Sequence, residues 1–357
     1  MSNRVFKLQD FAEVVSTSVK PEDASNYERF VGLEHYDAGE PVITRYTDTS
    51  LLVSAVKEFK ENDILIARRN VYLKRAGIVF FSGVTSGDSI ILRIPDTCID
   101  KTGIAKELAV KIIPFVLNSE HFWAYANKHA DGMNSKRISK DTLLEYEFEL
   151  SSNELEEAKS EKLWAAYRLK ESYKRLLAAT DEMVKSQFLE LFGDDFPSIS
   201  WGDCLTITNG KAYGEDYQTT GTYPICGSGG LMGYGEKKLC PADTIILGRK
   251  GNINSPIYME TDYWIVDTAF SLNVNRELLH PKYFYFWCTQ FDFTQYNKQA
   301  VLPSLTKSDL LGIEMPLPPM ERQLQFVNVL QQADKSKFEL KRAIEAIDKV
   351  IKSLING

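Results

Sequence analysis

The sequence predicts a mixed α/β protein written twice: a globular domain of strands and short helices, then a long helix, repeated. Three observations carry this. First, two charged, alanine- and leucine-rich stretches, from about Glu154 to Phe192 and from about Pro319 to Ile355, contain no internal proline or glycine. At ~35 residues and 1.5 Å of rise each, such a helix is ~50 Å long, more than a small domain is wide. Second, the stretches align at an offset of 167 residues, which places Leu163 on Leu330, Lys170 on Lys337, Lys174-Arg175 on Lys341-Arg342, Asp181 on Asp348 and Lys185-Ser186 on Lys352-Ser353. Third, the offset continues upstream. Ser139 to Leu144 falls on Thr306 to Leu311, and Tyr146 to Leu150 on Ile313 to Leu317. Earlier still the offset drifts, as loop insertions make it: Asp63 to Asn70 resembles Asp243 to Asn252, and Asp10 to Val15 resembles Asp203 to Thr208. Such order over both halves is the mark of an internal repeat.

Each long helix carries an apolar seam with heptad spacing. In the second it runs Leu330, Ala333, Lys337, Leu340, Ile344, Ile347, Ile351, Leu354; in the first, Leu163, Ala166, Lys170, Tyr173, Leu177, Thr180, Val184, Gln187. The pattern predicts an antiparallel helix pair with a lysine in each seam. Leu169, Leu176, Met183 and Phe188 lie beside the first seam and predict a wider buried face. Between the repeats, Gly193-Asp194-Asp195-Phe196-Pro197-Ser198 supplies stop and turn residues.

A length of 357 residues fits two or three domains. With 44% hydrophobic and 25% charged residues the composition is that of a soluble globular protein. No apolar run approaches the ~20 residues that span a bilayer. Met1 to Asp10 is mixed polar without an apolar signal core, so a cytoplasmic protein without a membrane partner is expected. The five cysteines (Cys98, Cys204, Cys226, Cys240, Cys288) form no CxxC pair and read as reduced buried thiols. The four histidines show no metal-ligand spacing beyond a loose His121/His129 pair, eight residues apart. The net charge of −7 argues against non-specific coating of nucleic acid but permits a local basic patch.

The second repeat carries an ordered series of motifs: Trp201-Gly202-Asp203; Asn209-Gly210-Lys211; Tyr223 to Gly230; Asp243 to Gly251; Trp264; Asp267-Thr268-Ala269-Phe270; Tyr283 to Phe286; Pro303-Ser304-Leu305; Met315 to Gln323. In this order they resemble the target-recognition domain and conserved helix of the specificity subunits of Type I restriction–modification systems. The likeness is strong over residues 197–357 and covers the whole chain in layout. The first repeat departs from it: Leu150-Ser151-Ser152-Asn153 stands at the helix start, and Asn70 stands where the second repeat has a glycine after Arg-Lys. The resemblance implies a first target-recognition domain at 1–150, a spacer helix at 151–193, a second recognition domain at 194–318 and a second helix at 319–357. It implies that the halves are related by a pseudo-twofold axis. It also implies double-stranded DNA, two methyltransferase subunits and restriction/translocase subunits as partners. Those partners use S-adenosylmethionine and ATP, and no cofactor is expected on this chain.

Reading a base needs a forked or flexible donor in the groove, with cations and backbone N–H groups on phosphates. The strand-like run Asp243 to Leu247 ends in Gly248-Arg249-Lys250-Gly251-Asn252-Ile253-Asn254, which offers Arg249, Lys250, Asn252 and Asn254 as DNA contacts. The first repeat offers Arg68, Arg69, Asn70, Lys74 and Arg75 at the matching place. Lys211, Lys298, Lys136 and Arg137 are further contact candidates. The glycine-rich Gly227 to Gly235 is not a Walker A loop, since Glu236 stands where lysine is needed; it reads as a flexible loop bringing Ser228 and Tyr234 near DNA. No asparagine- or aspartate-Pro-Pro-aromatic tetrapeptide and no GxSxG is present. Gly248-Arg249-Lys250 follows Asp243 to Leu247 in place of a nuclease's acidic-x-lysine, so the chain is expected to perform no chemistry. The alternative is a repeat coiled-coil scaffold that binds only proteins.

Overall fold

The computed structural model describes every residue except Met1, Ser2, Leu51, Asn134, Gly193–Asp195, Glu215, Ala300 and Gly357. The Gly193-Asp194-Asp195 part of the expected linker therefore lies outside the described residues. The chain divides into two units, Met1–Lys174 with Lys341–Gly357, and Arg175–Leu340.

In the first unit, the antiparallel pair Arg4–Lys7 and Glu147–Leu150 closes the domain onto the long helix. Alternation in the second of these strands sends Phe148 and Leu150 inward and Glu147 and Glu149 outward. The central antiparallel sheet runs in the order Glu13–Val15, Ser89–Arg93, Ile64–Ala67, Ala76–Ile78. Ile64–Ala67 is buried at all four positions, so it reads as a continuous apolar run rather than an alternating one. Its two faces meet separate clusters, Ile64 and Ile66 on one side, Leu65 and Ala67 on the other. The helices Lys106–Val116 and Glu120–His129 cover the first face.

The second unit repeats this plan. Ser198–Ser200 pairs with Glu314–Pro316, and the central sheet runs Leu205–Asn209, Ala269–Val274, Thr244–Gly248, Ile257–Met259. The correspondence holds residue by residue. Ile64 faces Leu92 as Ile245 faces Leu272, and Ala67 faces Ser89 as Gly248 faces Ala269. By this register Asp63 corresponds to Thr244, not to Asp243, one residue away from the sequence alignment. The aligned segments after Ser139 and Thr306 are both short capped helices, Lys140–Leu144 and Lys307–Leu311; the cap hydroxyl accepts the N–H of Thr142 at 3.0 Å and of Asp309 at 3.2 Å. The units differ in their second sheet. It has four strands in the first unit (Thr17–Val19, Val56–Phe59, Gly83–Thr85, Phe30–Val31) and three in the second (Gly230–Gly235, Tyr223–Gly227, Trp264–Ile265).

The long helices span Asn153–Phe192 and Met320–Asn356, and each unit holds a piece of both. In the first unit Leu163 packs with Ile347, Ile351 and Leu354, and Lys170 Nζ lies 2.6 Å from Asp348. In the second, Phe188 meets Phe326 at 5.2 Å and Lys337 Nζ lies 3.1 Å from Asp181. The helical pieces thus run antiparallel within each unit. The same lysine–aspartate pair forms in both, since the offset of 167 maps Lys170 on Lys337 and Asp181 on Asp348. Lys170 is buried because Glu40 of the domain adds a second carboxylate at 2.6 Å. Burial lowers the pKa of Lys337, but hydrogen bonds to Asp181 and Asp334 outweigh it and leave the value raised.

The seam residues are buried or half-buried as their spacing predicts. The wider face is not formed: Phe188 is buried, but Leu169, Leu176 and Met183 are exposed. These three repeat every seven residues on a flank that the partner helix does not reach. All five cysteines are buried and unpaired, and burial raises their thiol pKa values.

Candidate nucleic-acid interface

Each central sheet ends in a cationic tip held by the same backbone hydrogen bonds. In the first unit Arg68 N–H donates to Asp88 O at 3.0 Å, Asn70 N–H to Lys136 O at 2.8 Å, and Ile138 N–H to Arg68 O at 3.0 Å. In the second, Arg249 N–H donates to Thr268 O at 2.8 Å, Gly251 N–H to Pro303 O at 2.9 Å, and Leu305 N–H to Arg249 O at 2.9 Å. Strand ends 20 or 19 residues apart and a loop 68 or 54 residues downstream are thereby tied together at corresponding places. The pairs Arg68 and Arg249, Arg69 and Lys250, Asn70 and Gly251, Asp88 and Thr268, Lys136 and Pro303 are equivalent.

The Asn70–Gly251 equivalence explains the departure in the first repeat. Both residues are left-handed, at φ 55° and 81°. Glycine adopts this region freely, and asparagine is among the few other residues that tolerate it. Asn70 thus serves the backbone; its Oδ1 is buried with no hydrogen-bond partner among the described residues. Asn70→Gly should leave stability within ~0.5 kcal/mol, whereas Asn70→Ala should lower it by ~1 kcal/mol. Denaturant unfolding of the two variants checks this, and equal losses would assign the role to the amide instead. Gly248, just before the second tip, is required for space: a Cβ there would lie 1.8 Å from Asn252 O.

The side chains of the first tip are organised by Asp88. Its carboxylate stands 3.5 Å from Arg69 and 3.7 Å from Arg137, and Ser135 Oγ accepts from Arg69 Nε at 3.0 Å. Arg68 lies apart, lining a groove with Lys57, Ile90 and Lys140. The Lys57 pKa is lowered by burial and by the Arg68 charge. Arg75 is turned inward, donating to Leu33 O and Arg69 O at 3.1 Å each, and Lys74 pairs with Glu120 at 2.6 Å. Lys136 is exposed. Of the seven candidates in this unit, Arg69, Asn70, Lys136 and Arg137 gather at the tip, and Arg68 joins it by its backbone while its side chain lines the neighbouring groove. Lys74 and Arg75 support its base.

In the second tip Thr268 is the hub. Its carbonyl accepts from both Arg249 and Lys250, and its Oγ1 accepts the Ser228 N–H at 3.3 Å. Arg249 turns its guanidinium over the Phe270 ring at 5.9 Å. Lys250 and Asn252 are exposed, while Asn254 Oδ1 is occupied by the Phe293 N–H at 2.7 Å. Asn297 Oδ1 accepts the Ser304 N–H at 3.1 Å and so ties the Lys298 loop to the tip. Lys298 itself pairs with Asp309 at 2.8 Å, and this bond is the main cause of the lowered Asp309 pKa. Lys211 is exposed at the strand end, its N–H bonded to Ile265 O.

The Gly227 to Gly235 segment is not the flexible loop its glycines suggest. It is most of a β-hairpin, Tyr223–Gly227 with Gly230–Gly235. Ser228 sits in its turn beside Gly251, but Tyr234 sits opposite Pro224, away from the Thr268 hub. Three residues that spacing did not single out as contacts, Asp88, Thr268 and Lys57, hold or flank the tips. The signal for two was present: Asp88 and Thr268 each directly precede the central strand of their repeat.

Residues 194–348 match the family model described as Type I restriction modification DNA specificity domain. Comparison with curated protein sequences gives no match. Among solved structures, the chain resembles the Type-I restriction-modification system S subunit from M. genitalium, with a TM-score of 0.63 at 14% identity, covering 99% of this chain and 95% of that one. It also resembles a chain from a structure concerned with complex assembly and conformational transition of the type I R-M system, with a TM-score of 0.54 at 15% identity, covering 99% and 96%. The second half therefore carries a DNA specificity domain, and the fold of the whole chain is that of the two solved proteins. The match to the specificity-domain model is confined to residues 194–348, and the likeness over the whole chain is one of fold.

Proposed function

We propose that the chain reads a bipartite, asymmetric DNA site, one half with the domain at residues 1–150 and the other with the domain at 194–318, and performs no chemistry itself. The helices at 151–193 and 319–357 act as the spacer that fixes the unread gap, as dimer geometry fixes half-site spacing elsewhere. Two methyltransferase subunits and the restriction/translocase subunits are its partners. They bring S-adenosylmethionine and ATP chemistry to the site it selects.

One observation carries this reading. The same set of three backbone hydrogen bonds presents Arg68-Arg69 in one unit and Arg249-Lys250 in the other. A scaffold that bound only proteins would have no need of matched cationic tips. Arg69, Lys136, Arg137, Lys211, Lys250, Asn252 and Lys298 face DNA directly, Arg68 and Arg249 swing out from the sheet, and Ser228 lies close behind.

Arg249→Ala should weaken binding to the cognate site by ~1–3 kcal/mol, the worth of a bidentate base contact. Among the described residues its guanidinium makes a ring contact at 5.9 Å, from which it can turn to a guanine. Unchanged affinity with an intact fold would remove Arg249 from the contact set. Titration of random duplex against salt, with and without the methyltransferase, tests the broader reading: log affinity should fall linearly with log salt. Absence of duplex binding in both cases would favour the protein scaffold.

A further inference from the structure

A groove of about 460 Å³ lies beside the tip of the first unit and brings Lys57, Arg68 and Lys140 together against one carboxylate, Asp141. Lys57 comes from the second sheet, Arg68 from the end of the central strand and Lys140 from the first turn of a short helix. Lys57 Nζ donates to Gly87 O at 2.9 Å and Ser89 O at 2.8 Å, so it is held beside the like charge of Arg68. Among the described residues, Arg68 Nε is buried with no hydrogen-bond partner, and the exposed Lys140 has no counter-ion. A buried donor left unmatched costs free energy, more so when it is charged.

The internal repeat shows the same place closed. In the second unit the first strand of the central sheet runs on to Asn209, opposite Phe270, and the Gly210 N–H then donates to Ala269 O at 3.1 Å. In the first unit the matching strand stops at Val15, opposite Ile91, and the chain leaves for the second sheet at Thr17. Register places Ser89 on Ala269, so Lys57 Nζ takes the carbonyl that main chain takes in the other unit. Two exchanges complete the difference. Ile90 stands in the place of Phe270, whose ring lies under the Arg249 guanidinium at 5.9 Å. Lys140 stands in the place of Lys307, which donates to Ile207 O at 2.8 Å. The second unit uses these groups on itself; the first leaves them on an open groove.

Three cations beside one carboxylate fit an anion with several oxygens. An ammonium has three donors, so Lys57 keeps one beyond its two carbonyl bonds, Lys140 keeps all three, and Arg68 offers its fork. The place of the groove says which anion. The Arg68 main chain is bonded to Asp88 and Ile138 within the tip, so the groove begins where the tip ends. Phosphates flank the base edges that such a tip reads, and half or more of protein–DNA hydrogen bonds go to phosphate and sugar.

We propose that this groove seats one phosphate of the DNA backbone at the edge of the first half-site, held by Lys57 and Lys140, with Arg68 turned outward to meet it. The inference rests on the reading of the chain as a DNA-binding protein. It gives the first domain an anchor that the second lacks at the corresponding place. Such a contact fixes the register of the domain on the duplex and carries no sequence information itself.

The test uses the full chain with its methyltransferase and a duplex carrying the motif methylated in cells. Methylphosphonate linkages, which replace a charged phosphate oxygen by a methyl group, are placed one at a time through both half-sites and their flanks. At one linkage, beside one half-site only, the affinity of the unaltered chain should fall several-fold, and the Lys140→Gln protein should lose nothing further there. Lys140→Gln and Lys57→Met should each weaken binding to cognate and base-substituted duplexes by the same factor. Each should lower the log–log salt slope by about 0.9, so that raising salt from about 50 to 200 mM costs the variant ~3-fold less affinity than the unaltered chain. Lys140 is exposed, so its variant probes the contact with the fold intact. An unchanged slope in Lys140→Gln, a loss confined to one base pair, or methylphosphonate losses as large in the variant as in the unaltered chain at every linkage would each overturn the proposal and leave the DNA reading standing. Absence of duplex binding by the unaltered chain would overturn both.

Discussion

Exchange of residues 197–318 for the matching domain of a relative should replace one half of the methylated DNA motif and leave the other half untouched. The second domain owns its contacts: Thr268, Arg249, Lys250, Gly251 and Pro303 are tied to one another within the exchanged segment. Its sheet Leu205–Asn209, Ala269–Val274, Thr244–Gly248, Ile257–Met259 also lies wholly within it. Each mismatched base pair costs ~1–3 kcal/mol, so three altered positions should reduce modification of the original site by ~10²-fold or more. The seam to watch is the aromatic cluster, because Phe188, Phe192 and Phe326 come from the helices and Tyr283 and Phe286 from the exchanged part. An exchange partner that keeps rings at the last two positions should assemble normally. Methylome sequencing of cells carrying the hybrid reads the result. Changes in both halves of the motif, or loss of all methylation from a stably assembled complex, would contradict independent reading.

Insertion of four residues after Ala179, inside the first long helix, should lengthen the unread gap by one or two base pairs with both half-site sequences kept. Four residues add ~6 Å of rise, which at ~3.4 Å per base pair is on the order of two pairs. They exceed one helical turn by only ~0.4 residue, so the seam still faces its partner after the insertion. The insertion falls between Lys170, paired with Asp348, and Asp181, paired with Lys337, so one of the two pairs must move along the seam by about a turn. Asp181 is exposed, and its pair with Lys337 is the one expected to yield, since exposed ion pairs contribute little. The methylated motif of the variant is again the measurement. An active variant with an unaltered gap would show that the helices do not set the spacing.

Much of this architecture was legible in the residues. The repeat, the two helices and their seam follow from periodicity and from an offset of 167, because a heptad pattern is local and survives divergence of everything around it. The helix limits differ from the expected ones by a residue or so, Asn153–Phe192 and Met320–Asn356. The cationic tips were legible too, since a buried strand must end where Arg68-Arg69 and Arg249-Lys250 begin.

Other features lie beyond what one-dimensional spacing can express. Glycine content in Gly227 to Gly235 suggests a loop, yet main-chain pairing with Tyr223–Gly227 makes it a strand and carries Tyr234 away from the tip. Leu169, Leu176 and Met183 sit next to a seam in sequence, but which flank a partner helix covers is decided by packing. Lys74 and Arg75 belong to the same basic run as Arg68 and Arg69, and only the fold turns them to Glu120 and to backbone carbonyls. The sequence alone determined the repeated plan, the long helices and the place of each cationic tip, because periodicity and strand ends are local properties. The tertiary structure alone decided which cations gather there, through Asp88 and Thr268, and that the groove beside the tip is closed in one unit and open in the other, because those depend on contacts between residues far apart in the chain.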